Sequence, residues 1–533
     1  MPTLTPAPVA PTRMALGRLL AQAAARARRL ERAVLVSHTE WMDRRDPLAL
    51  FAAAEGLGEA RLFWEHREDD VPARSIAGLG AAYRVTAQGS GRFADADSNW
   101  DTLLAEALIA LPDDAPRWGA GPLLLGGFRF DPLAPHTEVW AAFPDALLIL
   151  PRLTLVRADD DRCLLTLNAL VGPDTDTDPL AKEESLMALR DLALDATTLF
   201  VVPRTRDCGH GQQHLHAGTR TPVAETTASG HEGGPSAAPD PLKAEDVLPT
   251  GAWQGAVADT ARQIREGRYE KVVLARKVRL HSPQPFDAAA ALARLRDRYP
   301  NAFLFAVGLP EVTGDEALFL GATPERLIRL EGELLETSVL AGSTRRGATP
   351  EEDRTLGESL LASAKDRHEH QVVATMLQEA LAPLCRRLDI AATPGLLRLA
   401  NVQHLHTPVR GLLTGGISIL DLVARLHPTP AVGGMPREGA LAAIREREAM
   451  DRGWYAAPVG WVDRHGQGEF AVALRSALLH NAAPQMQLPS EGQDGGGEAL
   501  LFAGCGIMGD SDPDREYAES AMKLRAMLAA LEG

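Results

Sequence analysis

The sequence predicts a large protein of mixed α and β structure, folded as two or more domains or as one oversized α/β unit. Its 533 residues are 45% apolar, which is enough for a large core. Short apolar runs alternate with turns before residue 205, whereas strands and helices alternate less regularly after residue 250. A long polar segment separates these two parts, so we divide the chain into segments 1–205, 206–250 and 251–533.

Segment 1–205 is expected to contain short buried strands. Residues 122–130 read Pro-Leu-Leu-Leu-Gly-Gly-Phe-Arg-Phe and residues 146–151 read Ala-Leu-Leu-Ile-Leu-Pro, both typical of strands in a core. The Ala/Arg-rich residues 13–32 lack the continuous apolar run of a secretion signal. No apolar run in the chain reaches about 18 residues, so we expect a cytoplasmic protein that does not cross a membrane.

Charge and cysteine content exclude further classes. The net charge of −16 argues against a nucleic-acid or anionic-membrane surface, because both require a basic patch. The chain also lacks the glycine-rich phosphate loops of dinucleotide and ATP enzymes. Its four cysteines lie far apart, without the spacing of a metal site, and are expected to be reduced structural thiols.

Segment 206–250 is predicted to be a flexible low-complexity insertion. It is rich in Gly, Ser, Thr, Pro and His and has too few apolar residues to order itself. We interpret its histidines, His210, His214 and His216, as part of a solvated loop. The glycine-rich residues 484–497 are predicted to be a hairpin loop between two strands.

Two strand patterns in segment 251–533 carry polar residues. Alternation over residues 271–280 places Lys271, Val273 and Ala275 on one face. A lysine at such a position is more often a surface residue than a catalytic one. Alternation over residues 469–477 likewise groups Glu469 with Arg475, leaving room above the arginine for a planar anion held by two hydrogen bonds.

Two helices are predicted to carry paired carboxylates. Thr349 as N-cap, followed by Pro350 and Glu352, predicts a helix that continues to about Pro383, with or without a break. At the C-terminus an apolar stripe predicts a second helix, formed by Tyr517, Ala521, Leu524 and Leu528. Its neighbouring polar stripe would on its own most often be solvated surface.

The acidic residues of these helices predict a metal site. Asp366 and Glu369 on the first helix, and Glu516 and Glu519 on the second, are each three residues apart and so share a helix face. Carboxylate oxygens suit a hard cation such as Mg²⁺, which binds one or two protein carboxylates directly and keeps places for water and substrate.

Six blocks of sequence, in order, resemble the chorismate-utilising enzymes, and among them the isochorismate synthases. These blocks are Lys-Val-Val-Leu-Ala-Arg (271–276), Gly-Ala-Thr-Pro-Glu-Arg-Leu (321–327), Leu-Ala-Gly-Ser-Thr-Arg-Arg-Gly (340–347), Lys-Asp-Arg-His-Glu-His (365–370), Leu-His-Pro-Thr-Pro-Ala-Val-Gly-Gly-Met-Pro (426–436) and Ala-Gly-Cys-Gly-Ile (503–507). The N-terminal part, with Trp-Ala-Ala-Phe-Pro (140–144), is similar to that of the longer bacterial isochorismate synthases.

The resemblance implies an α+β fold, the chorismate-binding fold, in which large and mostly antiparallel sheets are flanked by helices around a central cleft. Segment 251–533 would then be the catalytic region. The implied reaction is a Mg²⁺-dependent, reversible isomerisation of chorismate to isochorismate, in which water adds at ring carbon C2 and the C4 hydroxyl leaves.

The resemblance also implies roles for individual residues. Lys271 would be the general base that activates water, and Glu325 the general acid that protonates the departing hydroxyl. Glu369 and Glu519 would bind Mg²⁺ directly, with Asp366 and Glu516 holding metal-bound waters or supporting positions. The implied substrate-binding residues are Gly342, Ser343, His404, Tyr455, Arg475, Gly504, Gly506 and Lys523.

Other chorismate-utilising enzymes differ from this chain at residues 340–344 or at Lys271. The resemblance to aminodeoxychorismate synthases is weaker, because their pattern is Pro-Ile-Lys-Gly-Thr where this chain has Leu-Ala-Gly-Ser-Thr (340–344). Anthranilate synthases generally lack the lysine found here as Lys271, which counts against that activity too. No glutaminase subunit is therefore expected. Salicylate synthase, which goes on to eliminate pyruvate, is the nearest alternative, and a non-catalytic chorismate-binding protein is a third. Menaquinone supply is favoured over siderophore synthesis, and a monomer or weak homodimer is expected.

Overall fold

The structure is a computed structural model that describes residues 9–68, 73–158, 162–174, 178–199, 243–311, 315–398, 402–481 and 496–532. The helices in these ranges are α1 Val9–Leu30, α2 Pro47–Ala53, α3 Arg92–Leu104, α4 Pro179–Leu199, α5 Thr250–Arg265, α6 Ala288–Arg298, α7 Pro350–Ala362, α8 Ala364–Leu381, α9 Ile419–Leu426, α10 Arg437–Arg447 and α11 Pro513–Glu532. None of these helices combines the length and the apolar character needed to cross a membrane.

The strands alternate with these helices along the chain. They are β1 Val34–Asp43, β2 Arg61–His66, β3 Arg74–Leu79, β4 Tyr83–Ala87, β5 Leu108–Ala110, β6 Leu123–Phe128, β7 Ala146–Leu150, β8 Leu153–Arg157, β9 Arg162–Val171, β10 Lys243–Asp246, β11 Lys271–Ser282, β12 Phe303–Pro310, β13 Glu316–Thr323, β14 Arg326–Glu331, β15 Leu334–Arg345, β16 Cys385–Ile390, β17 Gly395–Arg398, β18 Val402–Leu413, β19 Gly434–Met435, β20 Pro458–Asp463, β21 Gly468–Val472, β22 Ser476–Asn481 and β23 Gly497–Ile507.

These strands form two large sheets. The first has the order β10-β11-β23-β22-β13-β12-β2-β3-β8-β9-β1-β5, with β19 also pairing with β11. The second has the order β16-β18-β15-β14-β21-β20-β6-β7-β4, with β17 also pairing with β18. Within the described ranges, the strand pairs are antiparallel except that of β1 with β5. The predicted α+β fold with mostly antiparallel sheets is confirmed.

Both sheets contain strands from both sides of the polar segment. In the first sheet β2 pairs with β12, where Phe63 lies opposite Ala306. In the second sheet β6 pairs with β20, where Gly126 lies opposite Gly460. The division of the chain into segments 1–205, 206–250 and 251–533 stays a prediction. In the structure, segments 1–205 and 251–533 both contribute strands to each of the two sheets.

An aromatic cluster packs against the first sheet in the core. Trp140 lies 5.3 Å from Phe319 of β13 and 5.7 Å from Phe502 of β23, measured between ring centroids. Phe143 lies 5.1 Å from Trp454. Large rings bury much apolar surface and add edge-to-face contacts. The Trp-Ala-Ala-Phe-Pro block therefore anchors the N-terminal segment beside the strands that follow residue 250.

The predicted helix after Thr349 is confirmed, with its break. Thr349 caps α7, accepting a hydrogen bond of 3.2 Å from the backbone N–H of Glu352. α7 ends at Ala362, and Ser363 then caps α8 by accepting from the N–H of Asp366. The break separates α7 from the helix that carries the first acidic pair.

Two sequence expectations need correction. The predicted strand 469–477 is wrong as one element: β21 ends at Val472 in the second sheet, and β22 begins at Ser476 in the first. The predicted flexible insertion lies outside the described residues up to position 242, but its last part forms β10, which pairs with β11. Backbone pairing with β11 thus gives this part of the segment its strand structure. The predicted loop at 484–497 falls between β22 and β23, and its residues up to 495 lie outside the described ranges.

Candidate active site

All fourteen residues that the sequence nominated for catalysis, substrate or metal line one cavity of about 150 Å³. The cavity lies where β11 and β23 of the first sheet meet β15 and β18 of the second, with α8 and α11 alongside. Its lining includes Lys271, Glu325, Gly342, Ser343, Asp366, Glu369, His404, Tyr455, Arg475, Gly504, Gly506, Glu516, Glu519 and Lys523. The structure therefore brings together residues spread over more than 250 positions of sequence.

Lys271 begins β11 and is 1% exposed. Its Nζ donates a hydrogen bond of 2.7 Å to Glu369 Oε1. Gly506 faces both groups from β23: a Cβ at this position would lie 2.7 Å from Lys271 Cε and 2.9 Å from Glu369 Oε1. A side chain at this position would displace the ends of Lys271 and Glu369, so the glycine leaves room for their contact.

Glu325 lies in the turn between β13 and β14, and its backbone carbonyl accepts a hydrogen bond of 3.0 Å from the N–H of Val472. Its side chain is buried beside the cavity. Burial raises the pKa of Glu325 to about 7, although the charges of Lys271 and Lys523 act in the opposite direction. A carboxyl with this pKa is partly protonated near neutral pH and can donate a proton.

The acidic residues of α8 and α11 face each other across the cavity. Burial, followed by the charge of Glu369, raises the pKa of Asp366. Burial and the charge of Glu519 likewise raise the pKa of Glu516, which accepts a hydrogen bond of 2.7 Å from Ser511 Oγ. Burial would raise the pKa of Glu519 too, but the charge of Lys523 brings it below its usual value. Burial is thus the larger cause of the raised pKa of Asp366 and of Glu516, and the negative charge of a neighbouring carboxylate adds to it.

This carboxylate set fits a divalent cation. A carboxylate oxygen of Glu516 lies within 4.8 Å of a carboxylate oxygen of Glu519. Asp366 and Glu369, both on α8, line the same cavity. Oxygen donors of this kind are those that Mg²⁺ and Ca²⁺ prefer. A bound cation would favour the charged form of Asp366 and Glu516, against the burial and the neighbouring negative charge that raise their pKa.

Another part of the cavity lining suits an anion. Arg475 is 9% exposed, and no carboxylate pairs with it in the ranges that the structure describes. Burial lowers its pKa to about 10, which still leaves it charged at neutral pH. Its backbone has φ 46°, a strained conformation for a residue other than glycine. The turn between β21 and β22 holds that strain and presents the cation to the cavity.

His404 and Lys523 complete the polar lining. Burial, then the charge of Arg475, lowers the pKa of His404 well below its usual value, so the ring is neutral. Its Nε2 is buried without a hydrogen-bond partner among the described residues. Lys523 Nζ instead contacts Glu519 Oε1 at 2.8 Å and donates to the carbonyl of Gly504. His404 thus has an unused polar atom, whereas Lys523 is already paired.

The sequence missed several residues of the lining. Arg452, Val432 and Phe502 line the cavity, as does Lys365 beside the first acidic pair. Val432 lies inside one of the six sequence blocks, which could have indicated it. Nothing in local sequence distinguishes Arg452 from other arginines, because its position depends on the packing of distant strands.

Comparison with known proteins agrees with this geometry. The sequence profile of the chorismate binding enzyme family matches residues 20–200 and 210–532. The chain belongs to this family. Matched residues lie on both sides of the polar segment, so the family likeness includes the N-terminal strands as well as the cavity.

Two family members are similar to this chain over nearly its whole length. The salicylate biosynthesis isochorismate synthase of Pseudomonas aeruginosa is 39% identical over 529 residues, which cover 98% of this chain and 96% of the relative. The isochorismate synthase MenF of Bacillus subtilis is 34% identical over 512 residues, covering 95% and 96% respectively. The resemblance found in the six sequence blocks is confirmed.

Among solved structures of the family, MenF from Escherichia coli, a menaquinone-specific isochorismate synthase, superposes with a TM-score of 0.66 at 25% identity. The superposition covers 96% of this chain and 99% of that one. This likeness agrees with the two-sheet architecture described above.

Proposed function

We propose that this protein is an isochorismate synthase, an isomerase that converts chorismate reversibly to isochorismate. The observation that carries the proposal is one cavity in which Lys271, Glu325 with its raised pKa, four carboxylates and Arg475 meet. Arg475 has no carboxylate partner among the described residues. Such a cavity offers a proton acceptor, a proton donor and a cationic group for a carboxylate. The relatives named isochorismate synthase support the same reaction.

The proposed reaction exchanges one hydroxyl group for another. Lys271 Nζ takes a proton from water as the water oxygen bonds to ring carbon C2. The ring double bonds shift, and the bond from C4 to its hydroxyl breaks as Glu325 donates a proton to that oxygen. One water enters and one leaves, so substrate and product have the same composition. General acid and base steps of this kind each contribute about 10²–10⁴-fold.

Arg475 and His404 are proposed to bind the substrate carboxylates. The guanidinium of Arg475 can hold a carboxylate with two parallel hydrogen bonds. His404 Nε2 offers a further polar atom in a buried position. Ser343, Tyr455 and the backbone of Gly342, Gly504 and Gly506 line the same wall, and Lys523 adds positive charge there.

Mg²⁺ is the proposed cofactor. Glu369 and Glu519 would hold it directly, and Asp366 and Glu516 would support it through water or hydrogen bonds, a role that fits the contact of Glu516 with Ser511. When bound, Mg²⁺ supplies positive charge that offsets repulsion between these carboxylates and the ring carboxylate of chorismate. This charge also explains how a protein of net charge −16 can bind a dianion.

Product identification tests the proposal. Purified protein is incubated with chorismate, with and without Mg²⁺, and the products are separated by chromatography and weighed by mass spectrometry. We expect isochorismate, with the mass of chorismate, only when metal is present. Salicylate together with pyruvate would identify a salicylate synthase instead. Absence of any conversion, even with added ammonia, would contradict an enzymatic role.

Cellular role and assembly are also proposed. We infer that the protein works in the cytoplasm, as a monomer or weak homodimer without a glutaminase subunit, and supplies menaquinone synthesis. The name of the Escherichia coli neighbour supports the menaquinone role, whereas the Pseudomonas aeruginosa relative acts in salicylate biosynthesis. Deleting the gene and restoring growth with menaquinone or with a salicylate-derived siderophore separates these roles. Sedimentation of the purified protein measures its assembly.

A further inference from the structure

The outer edge of β11 is covered partly by side chains rather than by a strand. β19 pairs with Lys271 and Val272, and β10 pairs with residues 278–281. Between these two pairings, Glu448 Oε1 accepts a hydrogen bond of 2.8 Å from the N–H of Ala275. Arg452 Nη2 donates one of 3.0 Å to the carbonyl of Val273. Two charged side chains therefore replace the missing backbone partners of the strand that begins with Lys271.

Glu448 and Arg452 form a buried ion pair. Each residue is 4% exposed. Arg452 Nε donates to Glu448 Oε2 at 2.8 Å, and Arg452 Nη2 contacts Glu448 Oε1, so the pair is bidentate. The guanidinium also lies 4.3 Å over the ring of Phe130. Burial of two charges is tolerated only where the pair is well matched and its other donors find acceptors.

The same guanidinium reaches a second wall of the cavity. Arg452 Nη1 donates a hydrogen bond of 2.9 Å to the carbonyl of Val432, and the neighbouring Gly433 carbonyl accepts from the N–H of Val273. Val273 and Val432 both line the cavity. Arg452 thus fixes the distance between β11 and the segment that contains Val432, using donors held in a rigid plane.

We propose that Glu448 and Arg452 are positioning residues that hold Lys271 in register for catalysis. Lys271 lies two residues before Val273 on the same face of β11, so a shift of Val273 moves the lysine with it. The inference rests on the proposed function, because it assigns Lys271 the role of base. A displacement of about 1 Å at a reacting group can cost about 10²-fold in rate.

The variant Arg452→Lys tests the inference, with Arg61→Lys as its matched control. Arg61 is 0% exposed, forms a bidentate pair with Glu316 and lies over the ring of Phe51, but it does not line the cavity. Lysine keeps the charge at both sites and loses the planar fork. We expect kcat at saturating chorismate to fall about 100-fold in Arg452→Lys, with Arg61→Lys close to wild type.

Amide hydrogen exchange supplies a readout that does not depend on the reaction. Exchange in peptides covering residues 271–276 and 429–435 should rise in Arg452→Lys and stay unchanged in Arg61→Lys. Equal kcat in both variants, or unchanged exchange in these peptides, would overturn the positioning role. If the wild type does not convert chorismate, the proposed function fails while the exchange result still decides whether Arg452 fixes β11.

A second pair of variants covers the case in which Arg452→Lys does not fold. Glu448→Gln keeps the shape of the side chain and removes its charge, and Glu316→Gln does the same at the control pair. The expected pattern is again a fall in kcat and faster exchange near Lys271 for Glu448→Gln alone. A loss of thermal stability without either change would mean that the pair is only structural.

Discussion

Glu325 illustrates how burial alone can prepare a carboxyl group for catalysis. Its pKa is raised to about 7 by burial, so the protonated form that a general acid needs is abundant below pH 7 and lost above it. We predict that kcat/KM falls about tenfold per pH unit above that value. Rates measured across this range, at saturating Mg²⁺, check the prediction. Glu325→Gln should lose about 10²–10⁴-fold in kcat and show no decline with this pKa.

Lys271 separates an enzyme from a protein that only binds chorismate. Lys271→Ala removes the proposed base and the partner of Glu369, while Arg475 and His404 remain. We predict a loss of about 10²–10⁴-fold in turnover with binding of chorismate largely kept, measured by calorimetry in the presence of Mg²⁺. Turnover equal to wild type would show that another group is the base.

Glu516 tests the proposed metal site. Glu516→Gln keeps the hydrogen bond to Ser511 possible but removes one negative charge beside Glu519. Residues that support metal ligands typically contribute about 10–100-fold to metal affinity. We therefore predict that Glu516→Gln raises the Mg²⁺ concentration needed for half-maximal activity by about 10–100-fold. The exposed Glu351→Gln, on α7, should leave the Mg²⁺ dependence unchanged.

At the scale of elements, the caps of α7 and α8 provide a matched comparison. Ser363 caps α8, which carries Asp366 and Glu369, whereas Thr349 caps α7, from which no residue lines the cavity. Replacing either by Ala should lower the free energy of unfolding by about 1 kcal/mol. Only Ser363→Ala should also raise the Mg²⁺ concentration needed for half-maximal activity, because the Ser363 hydroxyl accepts a hydrogen bond from the N–H of Asp366. Denaturant unfolding and activity at varied Mg²⁺ measure the two effects.

Some helices and strands could be predicted from local sequence pattern alone. The N-cap at Thr349 and the buried strands near residues 123 and 146 were predictable, because capping and apolar runs depend on near neighbours. The strand predicted for residues 469–477 was wrong because the chain changes sheets there. The N–H of Leu474 bonds to the carbonyl of Val472, and Arg475 adopts φ 46°. Alternation of polar and apolar residues continues through such a turn and cannot reveal it.

At the scale of the whole molecule, both sheets depend on both halves of the sequence. Without segment 1–205, β12 would lose its pairing with β2 and β20 its pairing with β6. We predict that a fragment of residues 243–533 expressed alone does not fold cooperatively, as measured by thermal unfolding and proteolysis. Coexpression with residues 1–205 should restore a folded complex. A cooperative transition of the single fragment would instead support independent domains.

The sequence by itself determined the family, the order of the six blocks and the residue types of the site, because these are carried by local identity and spacing. It also indicated which carboxylates share a helix face. Tertiary structure alone decided that all of them line one cavity, that Lys271 pairs with Glu369 and that Arg452 joins two of its walls. It also decided the raised pKa of Glu325. Burial and distance through space result from packing residues far apart in the chain, which local sequence does not encode.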